Sequence, residues 1–175
     1  MVLRLDAGAL VAASGSETIL PDDTTPLLGS RLAEIGGKLI RETLPKLLSG
    51  NFNQTEQNET EATYCRIIKK EDGHIRWQEE SAIEIERKLR AFTPWPGIFG
   101  FYSTGDNSGK KRRLQFTKVE IENGNFEPGK VYPDLIVGTL SGALRILRLK
   151  PEGKQEMDAD SFLRGQPQIV GTILE

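Results

Sequence analysis

Residues 113–121 read RLQFTKVEI, the clearest strand pattern in the chain. Polar and apolar side chains alternate along this segment, and a period of two predicts a strand with one buried face. Other short β-rich segments lie on either side of it, separated by Gly, Pro, Asp or Asn. They are residues 100–102, 130–132, 135–139 and 143–149. Five short strands in succession favour a small barrel.

Three helices are predicted around these strands. The first begins near Pro26 after residues 22–25, which supply acids and a capping threonine, and it is limited or kinked by Pro45. Its apolar positions recur at helical spacing and predict one buried stripe. They are Leu28, Leu32, Ile35, Leu39 and Thr43. The third helix is short and covers residues 158–165, where a glycine closes it.

The second helix has the clearest start signal, because Ser81 and Glu84 have the spacing of a capping box. We expect it to end before Pro94, since each proline removes a backbone donor and disfavours helix in the residue before it. Its predicted buried positions are Ala82, Ile85, Leu89 and Phe92. We predict that Trp77, Phe92 and Trp95 pack in the core and the turn rather than stack on bases.

Composition excludes several classes of protein. The 175 residues are 37% apolar and 27% charged, and no apolar run approaches the roughly 18 residues of a membrane span, so neither a disordered nor a membrane protein is expected. The first residues lack the features of a secretory signal, which makes the cytoplasm the expected compartment. Cys65 is the single cysteine and His74 the single histidine, so no metal site, disulfide or hydrolytic triad is predicted. His74, in the turn-like KKEDGHIRW, is expected to be an exposed polar residue.

Charge is concentrated in the middle of the chain. Residues 61–120 hold 12 basic and 9 acidic side chains, whereas both flanking regions are acidic. The densest run is Lys110 to Arg113, on a predicted loop that leads into the strand at 113–121. Such a run can contact phosphates, or it can be a solvated hairpin tip that keeps an edge strand from pairing. The local sequence leaves both interpretations open.

Three motifs follow one another over about 100 residues: Asp-Gly-x-Ile-x-Trp at 72–77, Pro-Trp-Pro-Gly at 94–97, and Met-x-Ala-x-x-Phe-Leu-Arg-Gly at 157–165. In this order they resemble the C-terminal half of methionyl-tRNA formyltransferases. The first motif is less specific, because formyltransferases that act on sugar nucleotides or on formyltetrahydrofolate carry similar segments. The second and third favour the tRNA enzyme. A fragment of a sugar-nucleotide formyltransferase and a stand-alone RNA-binding module remain the alternatives.

The resemblance extends to the first residues. MVLRLDAGA, residues 1–9, resembles a degraded Met-Asp-x-Gly-Leu-Asp-Thr-Gly-Asp segment of the family, which places Asp6 at the catalytic aspartate. Asp6 can equally be a turn acid before Gly8. The family's Asn-x-His pair and its Ser-Leu-Leu-Pro folate loop do not occur in this sequence. We therefore expect this chain alone to bind no folate and to be inactive, although the full-length family uses 10-formyltetrahydrofolate to formylate methionyl initiator tRNA.

The resemblance also implies an organisation and a partner. The expected fold is α+β: residues 1–50 end a doubly wound, Rossmann-like α/β formyltransferase domain, 51–69 form a linker, and 70–175 form an OB-like antiparallel β-barrel with a leading helix. We expect a monomer whose barrel and linker face the acceptor arm of initiator methionyl-tRNA, with neither metal nor membrane involved. The basic residues predicted to contact tRNA are Lys69, Lys70, Arg87, Lys88, Arg90, Lys110, Lys111, Arg112 and Arg113.

Overall fold

A computed structural model describes residues 6–103 and 111–175. The chain divides into two compact units, Met1–Ile67 and Ile68–Glu175, which we call the N unit and the C unit. The boundary between them lies inside the segment predicted as a linker. The assignment of residues 1–50 to a catalytic domain stays a prediction.

The N unit is built around one long helix, α1 (Thr25–Leu48). The chain before and after α1 is mostly extended, with a 3-10 turn at Glu59–Glu61 and a short bridge in which Leu10 and Thr55 exchange backbone hydrogen bonds of 2.8 and 2.9 Å. The predicted stripe of α1 is at most half-buried, and no residue of this helix is buried. The prediction of a buried stripe is therefore wrong, because the described part of this unit contains no sheet to cover it.

A salt bridge fixes the start of α1. The Thr24 side chain makes no capping hydrogen bond. Instead, the buried carboxylate of Asp23 accepts three hydrogen bonds. One comes from the Leu20 N–H at 2.7 Å, and two come from the terminal nitrogens of Arg31 at 2.6 and 2.7 Å. Arg31 also reaches Glu17 at 2.9 Å, and hydrogen bonds to the two acids, Asp23 first, raise its pKa further above the ordinary value. The extended approach to the helix is held by this cluster.

The C unit has an antiparallel sheet with helices packed around it, which confirms the α+β class. The helices are α2 (Ala82–Ala91) and α3 (Ala159–Gly165). The strands are β1 (Ile98–Ser103), β2 (Lys111–Glu122), β3 (Val131–Tyr132), β4 (Ile136–Gly138), β5 (Ala143–Pro151) and β6 (Met157–Asp158). The strand order in the sheet is β1-β2-β5-β4-β3, and β6 pairs with β5.

One hydrophobic core lies between α2, α3 and the inner face of the sheet. The buried face of α2 consists of Ala82, Ile85 and Leu89, as the helical spacing predicts. Trp77 is 1% exposed and meets the ring of Phe116 edge to face, at 5.9 Å between centroids. Burial of two large aromatic side chains in one contact contributes strongly to the stability of this unit.

The C-terminal residues 171–175 hydrogen-bond to both edge strands of the sheet. On one side, the Val131 N–H donates to the Thr172 carbonyl at 2.9 Å. On the other, Phe101 and Glu175 exchange backbone hydrogen bonds of 2.6 and 2.9 Å. Leu174 between them is 1% exposed. The strands form an open sheet, and this tail lies between its two edges.

None of the described helices combines the length and the apolar character needed to cross a membrane.

Candidate nucleic-acid interface

The outward face of β1 and β2 combines aromatic and cationic side chains. Phe99 and Phe101 alternate on β1 with residues that point into the core. In the antiparallel register, Phe101 lies opposite Arg113 and Phe99 lies opposite Gln115. Residues directly opposite each other project from the same face of a sheet, so the aromatic rings and the guanidinium share one surface.

The face extends onto β5 through a residue that the sequence analysis did not select. Gln115 lies opposite Lys150, an exposed lysine near the end of β5. Lys150 therefore follows Phe99 and Gln115 in one row across three strands. The alternation of apolar and basic residues in 147–150 is a signal that could have identified it, once the strand pairing was known.

The segment before α2 packs against this aromatic surface. A 3-10 turn, Lys70–Gly73, leads into His74, and the next residue, Ile75, donates its N–H to the Phe99 carbonyl at 2.9 Å. The imidazole of His74 lies nearly parallel to the Phe99 ring, with centroids 5.5 Å apart, and 5.4 Å from the Phe101 ring. His74 is half-buried. The expectation of an exposed turn residue is wrong, because distant β1 supplies the aromatic surface that covers it.

Gly73 allows the segment that contains His74 to lie close to β1. A Cβ atom at this position would lie 2.1 Å from the Gly97 carbonyl oxygen, which is far inside van der Waals contact. The Asp-Gly motif and the Pro-Trp-Pro-Gly motif therefore meet at two glycines. The His74 segment is positioned on β1 by this contact between two loops.

A pocket of about 410 Å³ opens beside His74. The guanidinium carbon of Arg113 lies 5.4 Å from the Phe99 ring centroid, in cation–π geometry. Glu152 holds the strand at this point, because its N–H donates to the Arg113 carbonyl at 3.0 Å and its carboxylate accepts the Arg113 N–H at 3.3 Å. The pocket is lined by Lys70, Glu71, His74, Phe99, Phe101, Arg113 and Glu152.

Three of the basic residues predicted to contact tRNA instead form ion pairs or hydrogen bonds with other residues of this chain. The ammonium of Lys88 binds Glu80 and the His74 carbonyl, each at 2.8 Å, and its side chain is 15% exposed. Arg90 makes two hydrogen bonds to Glu86, at 2.7 and 3.1 Å. Lys111 forms an ion pair with Glu175 and is half-exposed. Lys88 thus connects α2 to the segment before it, and Arg90 pairs within α2, whereas Lys111 remains at the surface.

The other predicted basic residues are distributed over the surface of the C unit. Lys70 and Arg113 come together at the pocket. Lys69 is exposed beside Lys70, and Arg87 is exposed on α2. Arg112 lies opposite Tyr102, whose pKa is raised by burial and partly lowered by this positive charge. Lys110 lies outside the described residues.

The aromatic predictions are confirmed for two side chains and wrong for one. Trp77 lies in the hydrophobic core, and Phe92 is half-buried and packs against that core. Trp95 is 59% exposed, whereas the neighbouring Pro96 is buried. The turn at 94–97 therefore packs through its proline, and the indole faces solvent.

Asp6, the predicted catalytic aspartate, belongs to the N unit. Asp6 is exposed in a turn with a φ of 59°, a conformation that aspartate tolerates better than most residues. Its carbonyl accepts a hydrogen bond from the Gln57 amide at 2.8 Å. His74, the single histidine of the sequence, belongs to the other unit. Within residues 6–103 and 111–175, no cluster of three or more His, Cys, Asp or Glu side chains could hold a metal ion.

Comparisons with known proteins agree with the three motifs. The family described as "Formyl transferase, C-terminal domain" matches residues 67–167. A methionyl-tRNA formyltransferase of Dehalococcoides mccartyi is 39% identical over 173 residues, which are 97% of this chain and 53% of the relative. Another, from Myxococcus xanthus, is 38% identical over 96% of this chain and 52% of the relative. The chain spans about half the length of these relatives, and the resemblance found in the sequence is confirmed.

Solved structures agree at the level of the fold. A HypX variant from Aquifex aeolicus has a TM-score of 0.64 and 17% identity, and the match covers 97% of this chain and 30% of that protein. A second HypX structure, in complex with tetrahydrofolic acid, has a TM-score of 0.51 and 18% identity over 75% of this chain and 23% of that protein. At these identities the likeness concerns the fold alone.

Proposed function

Because the chain belongs to the family of formyltransferase C-terminal domains, we propose that it is the C-terminal part of a methionyl-tRNA formyltransferase and that its C unit binds initiator methionyl-tRNA. The names of the relatives support the tRNA enzyme over the sugar-nucleotide enzymes. The partner, an RNA of the translation machinery, leads us to expect the protein in the cytoplasm, as a monomer.

The complete enzyme would transfer a formyl group from 10-formyltetrahydrofolate to the amino group of methionyl initiator tRNA. This sequence lacks the family's Asn-x-His pair and Ser-Leu-Leu-Pro folate loop, and we therefore expect the chain alone to bind no folate. We derive no transfer step from this chain. Its proposed role is to bind the tRNA.

The outward face of β1, β2 and β5 carries this proposal. Its cations are Arg113 on β2 and Lys150 on β5, and Lys70 of the neighbouring 3-10 turn lies beside Arg113 at the pocket. Cations on a rigid sheet bind phosphates at defined positions, and their binding releases counterions from the RNA. The aromatic side chains beside them offer surfaces for unpaired bases.

We also propose that the C unit is an OB-like barrel with α2 as its leading helix. Two observations support it: the five main strands pair in one antiparallel order, and residues 171–175 hydrogen-bond to both β1 and β3. The tail would thereby complete the closure that the strands leave open. OB-folds bind oligonucleotides on a strand face and its flanking loops, which agrees with the proposed interface.

The test is the salt dependence of tRNA binding. We expect the purified chain to bind fluorescently labelled initiator tRNA in an anisotropy titration, with log Kd rising linearly with log salt concentration. Lys150→Ala should reduce the slope by about 1, because it removes one phosphate contact. Lys130→Ala is the matched control, since that ammonium is held by Glu127 at 2.8 Å beside β3. Absent or salt-independent binding would contradict the proposal.

A further inference from the structure

We propose that the pocket between His74, Phe101 and Arg113 holds one unstacked nucleobase of the bound RNA and prefers a base with an exocyclic amino group. The inference rests on the proposed RNA-binding function and makes it more specific. It assigns the aromatic part of the interface to a base rather than to the phosphate backbone.

The aromatic walls of the pocket offer an open surface for a planar ligand. Phe99 is 6% exposed, because the imidazole of His74 and the guanidinium of Arg113 lie against it. His74 and Phe101 are each half-buried and therefore keep part of their surface accessible from the pocket. The volume of about 410 Å³ is within the range of about 300–1,000 Å³ typical of small-ligand sites. A single heterocyclic base stacks on such surfaces whatever its sequence context.

His74 supplies a polar group that the protein leaves unsatisfied. Its Nε2 atom is buried, and in the described part of the chain it has no hydrogen-bond partner. The backbone of His74 is already engaged: its N–H donates to the Glu71 carbonyl at 3.0 Å, and its carbonyl accepts from Lys88 at 2.8 Å. A buried polar atom without a partner destabilises the folded state. The heteroatoms at the edge of a base can provide the missing hydrogen bond.

The charges around the pocket favour a base over a free phosphate. Lys70 and Arg113 are matched by two carboxylates, Glu71 and Glu152, so a bare anion would meet as many negative as positive groups. A neutral ring with donors and acceptors suits this balance. Carboxylates accept hydrogen bonds from exocyclic amino groups, as in the recognition of cytosine N4. Uracil has no such group, and we therefore expect it to bind most weakly.

The experiment uses the full chain and single-stranded hexaribonucleotides with 2-aminopurine at one position, whose fluorescence is quenched when the base stacks. Phe101→Leu keeps apolar bulk but removes the ring, and we expect it to weaken binding about five- to tenfold and to abolish the quenching. His74→Phe keeps the packing on Phe99 but removes Nε2. It should retain the quenching but bind the probe more weakly, because the hydrogen bond to the edge of the base is lost. The preference for cytidine over uridine is measured with unlabelled hexamers that carry either base, and Glu71→Ala, which removes one pocket carboxylate, should reduce it. Phe126→Leu is the control, because that ring pairs with Tyr132 instead, at 5.3 Å.

The outcomes separate this inference from the proposed function. If tRNA binds with a steep salt slope while both Phe101→Leu and His74→Phe bind the probes as the parent does, the base pocket is refuted and the proposed function stands. If neither tRNA nor the oligonucleotides bind, the proposed function fails. Competition by an aromatic dipeptide as strong as that by cytidine monophosphate would indicate a protein ligand and overturn the inference. Should Phe101→Leu not fold, as judged by tryptophan fluorescence, the His74→Phe result alone decides.

Discussion

Gly73 lies where two loops cross, and the crossing leaves no space for a side chain. A Cβ atom there would lie 2.1 Å from the Gly97 carbonyl oxygen, which belongs to backbone and cannot rotate away. We predict that Gly73→Ala lowers the free energy of unfolding of the C unit by about 1–3 kcal/mol or more, as overpacking does. Urea denaturation followed by tryptophan fluorescence measures this unit alone, because both tryptophans of the chain lie in it.

The matched control for this substitution is Gly165→Ala. Gly165 is the last residue of α3, and a Cβ atom built on it meets nothing within 4 Å. Alanine favours helix over glycine by up to about 1 kcal/mol, so this variant should be neutral or slightly more stable. Equal urea midpoints for the two variants would show that the loops separate easily and would disprove the argument from packing.

The sequence motifs could identify Gly73 and Gly97 as residues of a family, but not the contact between them. Contacts between loops that are distant along the chain leave no periodic signal in the local sequence. The same limit explains the errors at His74, which β1 covers, and at Trp95, whose turn packs through Pro96. Asp6 remains a residue whose predicted catalytic role is untested.

At the scale of elements, the start of α2 depends on a capping box that was predicted from Ser81 and Glu84. The Glu84 carboxylate accepts the Ser81 N–H at 2.8 Å, and the Ser81 hydroxyl accepts the Glu84 N–H at 3.3 Å. The hydrogen bond from the Ser81 N–H, and next the one that the Ser81 hydroxyl donates to the carboxylate at 2.7 Å, lower the pKa of Glu84. The stabilisation is therefore present above the ordinary glutamate pKa and is lost as the pH falls through the lowered folded-state pKa.

We predict that Glu84→Gln makes the C unit less stable than the parent at pH 7 and that the difference shrinks below about pH 4, where the parent carboxylate becomes protonated. Urea midpoints measured at pH 7, 5 and 3.5 would follow it. Glu120→Gln removes one exposed carboxylate from β2 and controls for the change in net charge. A difference that persists unchanged to pH 3.5 would rule out ionisation as the cause.

The C-terminal tail is a second element whose contribution can be measured. Leu174 is 1% exposed, and the adjacent Ile173 is 51% exposed. We predict that Leu174→Ala costs about 2–5 kcal/mol, as for other buried leucines, whereas Ile173→Ala costs much less. Chemical denaturation of the two variants tests whether the tail is part of the core. Similar small losses for both would mean that residues 171–175 contribute little to the stability of the C unit.

Strands with a long run of β-forming residues could be predicted from the sequence, whereas very short strands could not. Residues 113–121 largely alternate and residues 143–149 are rich in β-forming apolar side chains, and β2 and β5 form there with one or two more residues at their ends. β6 has two residues, and the tail pairs through one bridge, between Ile173 and Lys130, so neither shows a repeated alternation. The register that places Lys150 in the row of Phe99 depends on strand pairing, which periodicity within one segment does not determine.

At the scale of the whole molecule, the two units differ in the core they possess. Every residue of the hydrophobic core belongs to the C unit, whereas Asp23 is the one buried residue in the described part of the N unit. Burial of apolar surface is the dominant favourable contribution to folding. The C unit should therefore fold without the N unit, and the exposed apolar side chains of α1 should contribute little to stability.

We predict that a fragment of residues 68–175 unfolds cooperatively, with a midpoint within about 2 °C of the tryptophan-detected transition of the full chain, since a loss of 1 kcal/mol would shift it by about 4–8 °C. The dye ANS should bind more strongly to the full chain than to the fragment, because α1 exposes apolar side chains such as Leu27 and Ile40, at 55% and 64%. A fragment that melts several degrees lower would show that the N unit stabilises the C unit. The independence inferred from the position of the core would then be wrong, even though the fold of each unit could remain as described.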